Sequence, residues 1–187
     1  MEFSIGNHKL GKDTIILNMT SATDCPGRAL GLCSMGAKCY AMKAERQYPA
    51  CLPFRRRQAE QWDRESVTEI FKSIALRARR VKTPIQYVRL SEAGDFRTQA
   101  DVEKANRLAI LLSAINIRMY GYTARKDLNF TNLHDNFVMN GTNFMIDNSF
   151  NPVPMITGKL DAVCDGDCPN CTLCKVKGHK DIEIKMH

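Results

Sequence analysis

Ile85-Gln86-Tyr87-Val88-Arg89-Leu90 runs without a break into Ser91-Glu92-Ala93-Gly94-Asp95. The first six residues are rich in β-favouring types and begin just after Pro84, so they predict a strand that the following polar and glycine residues close. On both sides the periodicity turns helical. From Pro53 to about Val81, the residues Trp62, Val67, Ile70, Phe71, Ile74 and Ala78 recur mostly at three- and four-residue steps. Pro53 suits a first helical turn, and Pro84 lies just past the end. From Thr98 or Gln99 to Ser113, a second pattern puts Val102, Ala105, Leu108, Ala109 and Leu112 on one face.

Further strands extend the order in both directions. Thr14-Ile15-Ile16-Leu17-Asn18-Met19 predicts the first strand, followed by a cysteine loop punctuated by Pro26, Gly27, Gly31 and Gly36. Lys38 to Gln47 predicts a short helix stopped before Pro49. Asn116 to Tyr122 is the third strand, after which Thr123 is expected to cap a short helix through Leu133. Asn136 to Met139 and Asn143 to Ile146 are expected as the fourth and fifth strands, before a break at Asn151-Pro152-Val153-Pro154. Strand–helix–strand order argues for parallel βαβ units with right-handed crossovers. The expected class is α/β: a partial (βα) barrel or a small, mostly parallel sheet with flanking helices and cysteine-rich metal-binding loops at both ends of the chain. One domain over 1–187 is expected, with a βα core at 14–150 and a cysteine-rich segment at 151–187.

Bulk composition narrows the function classes. A hydrophobic fraction of 44% in 187 residues is enough for a core without disulfide staples. No run of apolar residues is long enough to span a bilayer, and Met1 to Leu10 lacks the apolar core of a signal peptide. The expectation is a soluble cytoplasmic protein with reduced thiols and no membrane partner. The net charge of +7 and pI near 9.0 favour an anionic partner, a nucleotide or nucleic acid. Arg55-Arg56-Arg57, then Arg77, Arg79, Arg80 and Lys82, then Lys175, Lys177 and Lys180 carry that charge; a solvated basic face accounts for it equally well.

The eight cysteines fall into two groups. Cys164, Cys168, Cys171 and Cys174 fit within eleven residues, with Gly166 and Pro169 as bends that let successive sulfurs converge. Read backwards, the spacing is that of bacterial ferredoxins, which predicts an iron–sulfur cluster of the [4Fe–4S] type. Four-thiolate zinc is the alternative, since such sites also use two-residue spacings. Cys25, Cys33 and Cys39 form a looser set after the first strand, where a barrel-type site takes its ligands. Cys51 reads as an ordinary buried thiol.

Residues beyond strand ends are where parallel α/β folds bind ligands. Ser91, Glu92 and Asp95 are therefore candidates to hold a cofactor, and Glu92, Asp95 and Tyr122 candidates for catalysis. Asp95 or Thr98 as a helix N-cap is the plainer alternative. Thr123 and Arg125, Asn140-Gly141, and Asp147-Asn148 occupy the ends of the later strands. His8, His134, His179 and His187 have no ligand spacing to either thiol group and read as surface or core residues.

Cys25-Pro26-Gly27, Cys39-Tyr40-Ala41, Arg89 through Phe96 and Tyr122-Thr123-Ala124-Arg125 together resemble the phage-associated, cysteine-rich gene product 88 family. That resemblance implies a protein of an infected or lysogenic bacterial host. The family in turn resembles radical S-adenosylmethionine proteins, whose cysteine loop after the first strand and Gly-Gly-Glu-type turn after the second have counterparts in Cys39-Tyr40-Ala41 and Ser91-Glu92-Ala93-Gly94-Asp95. The resemblance implies S-adenosylmethionine as a ligand, although the N-terminal spacing Cys25-x7-Cys33-x5-Cys39 departs from C-x3-C-x2-C. The expected function is iron–sulfur binding, with a redox or radical reaction on a nucleotide or nucleic acid. The alternatives are a zinc-stabilised nucleic-acid-binding or host-interaction protein without catalysis, and a small electron carrier.

Overall fold

Eight strands share one sheet in the computed structural model, which describes residues 1–6 and 9–186. In chain order they are β1 (Ser4–Ile5), β2 (Thr14–Leu17), β3 (Tyr87–Leu90), β4 (Arg118–Thr123), β5 (Phe137–Thr142), β6 (Asn148–Val153), β7 (Ala162–Cys164) and β8 (Asp181–Lys185). Their order across the sheet is β1-β2-β3-β4-β5-β6-β8-β7. Only β1 runs antiparallel to its neighbour; every other pair is parallel. The mixed α/β class and the mostly parallel sheet are therefore present. Among the described residues the two edge strands, β1 and β7, do not pair with each other, so the sheet is open.

Five helices accompany it: α1 (Pro26–Ala29), α2 (Tyr40–Gln47), α3 (Cys51–Arg64), α4 (Val67–Arg80) and α5 (Gln99–Ser113). Strand alternation sends Ile15, Leu17, Val88, Leu90, Met119, Phe137 and Met139 to one face, where they meet Trp62, Ile70, Ile74, Val102, Leu108 and Leu112 from α3, α4 and α5. This is the main core. Trp62 is fully buried, and its indole N–H donates to Asp101 Oδ1 at 2.8 Å, fixing α3 against α5.

Several expectations are corrected. The helix expected over Pro53 to Val81 is two helices broken at Glu65-Ser66. Ser66 caps α4, its hydroxyl taking the Glu69 amide while the Glu69 side chain takes the Ser66 amide. No helix follows Thr123 among the described residues. Residues 124–136 are a loop that drops Leu128, Phe130 and Leu133 onto the main core, and Thr123 instead gives its hydroxyl to Asp95. Asn143–Ile146 is a tight connection rather than a strand, and β6 comes after it. Five residues suffice between these parallel strands because β6 starts level with Asn140 and pairs only with the end of β5. The connection folds directly over Gly141, where an added Cβ would sit 2.1 Å from the Phe144 carbonyl oxygen. Pro152 is tolerated within β6 because β5 pairing stops at Phe150, leaving that stretch paired on the β8 side.

Candidate functional site

The other face of the sheet has a different character. Tyr87 and Arg89 from β3, Tyr120 and Tyr122 from β4, and Val138 and Asn140 from β5 alternate with the core residues. Asn148 and Phe150 continue the row on β6, and Ile182 on β8. Register places Arg89 beside Tyr120, and Tyr122 beside Asn140 and then Asn148. The C-terminal cysteine segment lies on this face. Tyr120, Val138, Phe150 and Ile182 pack with Cys174 and Leu173, and Cys164 lies at the margin.

Polar groups fasten the segment down. Asn140, fully buried, donates from its amide to Gly121 O and to Cys174 O, both at 3.0 Å. Asn148 donates to Asn140 Oδ1 and to Val176 O, both at 2.9 Å, and accepts the Gly178 amide at 3.1 Å. Arg118 donates to Lys175 O at 3.1 Å, and the Lys175 ammonium lies 4.4 Å from the Tyr87 ring while donating to Cys168 O at 2.8 Å. Two buried asparagines one register step apart thus act as an amide ladder under the last cysteine.

The four C-terminal thiols share one neighbourhood. Cys164 ends β7, Cys168 opens one 3-10 turn, Cys171 follows it, and Cys174 sits in a second turn, Leu173–Lys175. Burial pushes the Cys164 thiol above its ordinary range, and the nearby Cys168, Cys174 and Cys171 add to this against the Gly166 amide. Burial likewise raises Cys174, with Cys168 adding, while the Tyr122 hydroxyl, Arg89 and Lys175 oppose. Burial holds the Tyr122 phenol well above the usual range, and the neighbouring Cys174 sulfur adds to this. The Leu173 amide points at Cys171 Sγ at 3.5 Å. Among the described residues no three Cys, His, Asp or Glu side chains are already set around a point as metal ligands. The four thiols are gathered in one short segment.

The N-terminal thiols sit elsewhere, beyond the ends of β2, β3 and β4. Cys25 is the N-cap residue of α1, with the Arg28 and Gly27 amides near its sulfur but no side-chain capping bond. Burial nevertheless pushes the thiol up to about 11, with Asp95 and Cys33 adding. Cys39 precedes α2 and packs against Ala22, Ala41, Met42 and Ala93. Cys51 opens α3 and is only partly buried; that burial raises its thiol, while Arg55 opposes. The charged neighbours of Cys25 are Asp95, Cys33 and Arg125, whereas those of Cys164 and Cys174 lie in the C-terminal run and on the second sheet face.

Asp95 ties the turn after β3 to the end of β4. It is buried, and its carboxylate accepts from Thr123 Oγ1 at 2.6 Å, from the Ala124 amide at 2.8 Å and from the Phe96 amide at 2.8 Å. Burial pushes its carboxyl up to about 6, against these donors. Gly27 leaves room for it: a Cβ there would come 2.8 Å from Asp95 Oδ2. Thr98 caps α5 without a side-chain bond, and Asp101 takes the Arg97 amide instead. Glu92 is partly exposed, 3.6 Å from Arg55, with its carbonyl accepting the Tyr40 hydroxyl at 2.7 Å. Arg125 is held by Asp127 and the Phe96 carbonyl. Asp147 accepts the Met139 amide. His134 takes the Asn136 amide on Nδ1, and His179 is exposed; His8 and His187 lie outside the described residues. Sequence reading missed Tyr40 and Arg89, whose pairing depends on the α2 entry meeting β3; the i, i+2 alternation with Tyr87 was the available signal for Arg89.

A family model described as Gene product 88 matches residues 1–152. The chain belongs to the Gene product 88 family. The match takes in the first cysteine loop, β3 with its Ser91–Asp95 turn, and β4, and it ends before the C-terminal thiols. No curated protein and no solved structure matches the chain significantly, and the likeness of this family member to radical S-adenosylmethionine proteins finds no support there. No helix among the described residues is long and apolar enough to cross a membrane.

Proposed function

We propose that this Gene product 88 protein binds a metal centre through Cys164, Cys168, Cys171 and Cys174, and that the centre is an iron–sulfur cluster. The observation that carries the reading is the fastening of this loop. Asn140, Asn148 and Arg118 hold the carbonyls of residues 173–176 on the sheet, so four thiols are kept as neighbours inside one short segment. The donor set fits such a group. All four ligands are soft, the Leu173 amide points at sulfur, and Arg89 and Lys175 supply positive charge beside Cys174. Binding would release thiol protons, against the burial that raises Cys164 and Cys174. When bound, a cluster would supply one-electron redox chemistry. Cys25, Cys33 and Cys39 are proposed as a second, separate thiol site on the family core.

A nucleotide or nucleic acid as redox partner rests on the net charge of +7 alone. Anaerobic purification followed by visible absorption and by iron, sulfide and zinc analysis tests the metal reading. A brown protein with iron and sulfide supports it; a colourless protein with stoichiometric zinc replaces it with the structural-zinc alternative.

A further inference from the structure

Three buried side-chain atoms lack a hydrogen-bond partner among the described residues: Arg28 Nε, Arg89 Nε and Ser91 Oγ. Two of them are two residues apart at the end of β3. A buried donor without a partner costs about 1–3 kcal/mol, so such atoms are rare unless something else satisfies them. Arg89 is the more telling. Its guanidinium lies 5.4 Å from the Tyr122 ring and 3.4 Å from the Tyr40 hydroxyl, and it forms no ion pair with a described carboxylate. Glu92 is the nearby acid, but its carboxylate faces Arg55 at 3.6 Å, while Arg55 itself bonds Glu45 at 2.9 Å.

Ser91 adds an independent sign. It is only 5% exposed, and it holds a left-handed backbone with φ of +56°. That conformation costs a serine about 1–2 kcal/mol and costs a glycine almost nothing. The serine therefore sits in a strained position with its hydroxyl unused, one residue from the strand that carries a free arginine edge. Strain of this kind at a strand end is a reason to look for a bound group.

We propose that Arg89 and Ser91 form a binding site for a small oxyanion group, a carboxylate or phosphate carried by a ligand. The Nε–H of Arg89 and the Ser91 hydroxyl donate to it, while Arg89 Nη2 donates to the Tyr40 hydroxyl. The site lies at the end of β3, where Arg89 stands beside Tyr122 and Tyr40. It involves no thiol and does not rest on the metal reading.

Calorimetric titration of the purified chain with sodium phosphate, and separately with sodium acetate, tests it. Saturable binding is expected in at least one arm, and the arm shows which oxyanion is preferred. In Ser91→Gly the backbone strain is relieved, so the variant folds at least as well, yet affinity falls about tenfold or more with the lost hydroxyl. Arg89→Gln loses binding altogether. Absence of saturable binding in both arms overturns the proposal, as does unchanged affinity in Ser91→Gly. Iron and zinc content, measured alongside, stays at the wild-type level in Ser91→Gly, which keeps this outcome separate from that of the metal centre.

Discussion

Replacing Asn148 with alanine tests whether the amide ladder holds the C-terminal thiol loop on the sheet. The side chain is 1% exposed and makes three bonds at 3.1 Å or less. Alanine leaves Asn140 Oδ1 buried without a partner, at a cost of about 1–3 kcal/mol. Val176 O and Gly178 N lie on exposed residues where water can replace the lost partner, so each forfeits only the net value of a bond, about 1 kcal/mol. The sum is about 3–5 kcal/mol, concentrated in one segment. Native-state hydrogen exchange should show the amides of 173–178 losing protection by about a hundredfold or more, with the α4 and α5 amides changed far less. Asn140→Ala should act on the same segment. The double variant should cost less than the two singles added, because the two side chains share a bond. Uniform loss of protection across the chain, or strict additivity, would refute the ladder as a local fastening.

Other outcomes follow from single sites. Gly94→Ala places a Cβ 2.0 Å from Thr20 Oγ1 at a φ of +77°. About 1–2 kcal/mol for the backbone and a further 1–3 kcal/mol for overlap should appear as a lower urea midpoint. Ser66→Ala removes the capping box of α4 and should cost about 1 kcal/mol in the same assay without affecting metal content. Glu183 accepts the Thr157 hydroxyl and the amides of Thr157, Gly158 and Lys159, and the Thr157 hydroxyl bond first among these holds its carboxyl down at about 2. Its folded pKa is depressed, so its stabilising share is complete above the ordinary glutamate range and is lost as pH falls towards 2. Acid titration of stability should therefore be flatter between about pH 4.5 and 2 in Glu183→Gln than in wild type; identical profiles would remove Glu183 from the account.

The parallel order was legible because Ile85–Leu90 lies between two strongly amphipathic helices, and only a βαβ arrangement buries all three apolar faces at once. Boundaries failed where local chemistry competed with periodicity. The capping pair Ser66 and Glu69 interrupts an apolar pattern that continues across the break, so two helices read as one. β6 was hidden by Pro152, whose tolerance depends on the stagger of β5, a tertiary fact. Asp181-Ile182-Glu183-Ile184-Lys185 carries the alternation of a half-buried strand, but its charges masked it; Glu183 turns inward to collect amides from 157–159. The grouping of cysteines was visible in their spacing. What the spacing did not reveal is the surface beneath them. Tyr122, Asn140 and Asn148 become neighbours only once the register of three parallel strands is set.

Native mass spectrometry of the anaerobically purified chain tests the central claim most directly. Wild-type protein and Cys51→Ala should each carry the mass of an iron–sulfur centre, and Cys168→Ala/Cys171→Ala should lose it while remaining folded by circular dichroism. A wild-type chain with no bound metal, or a metal content unchanged by loss of both Cys168 and Cys171, would contradict the assignment of the C-terminal thiols as ligands.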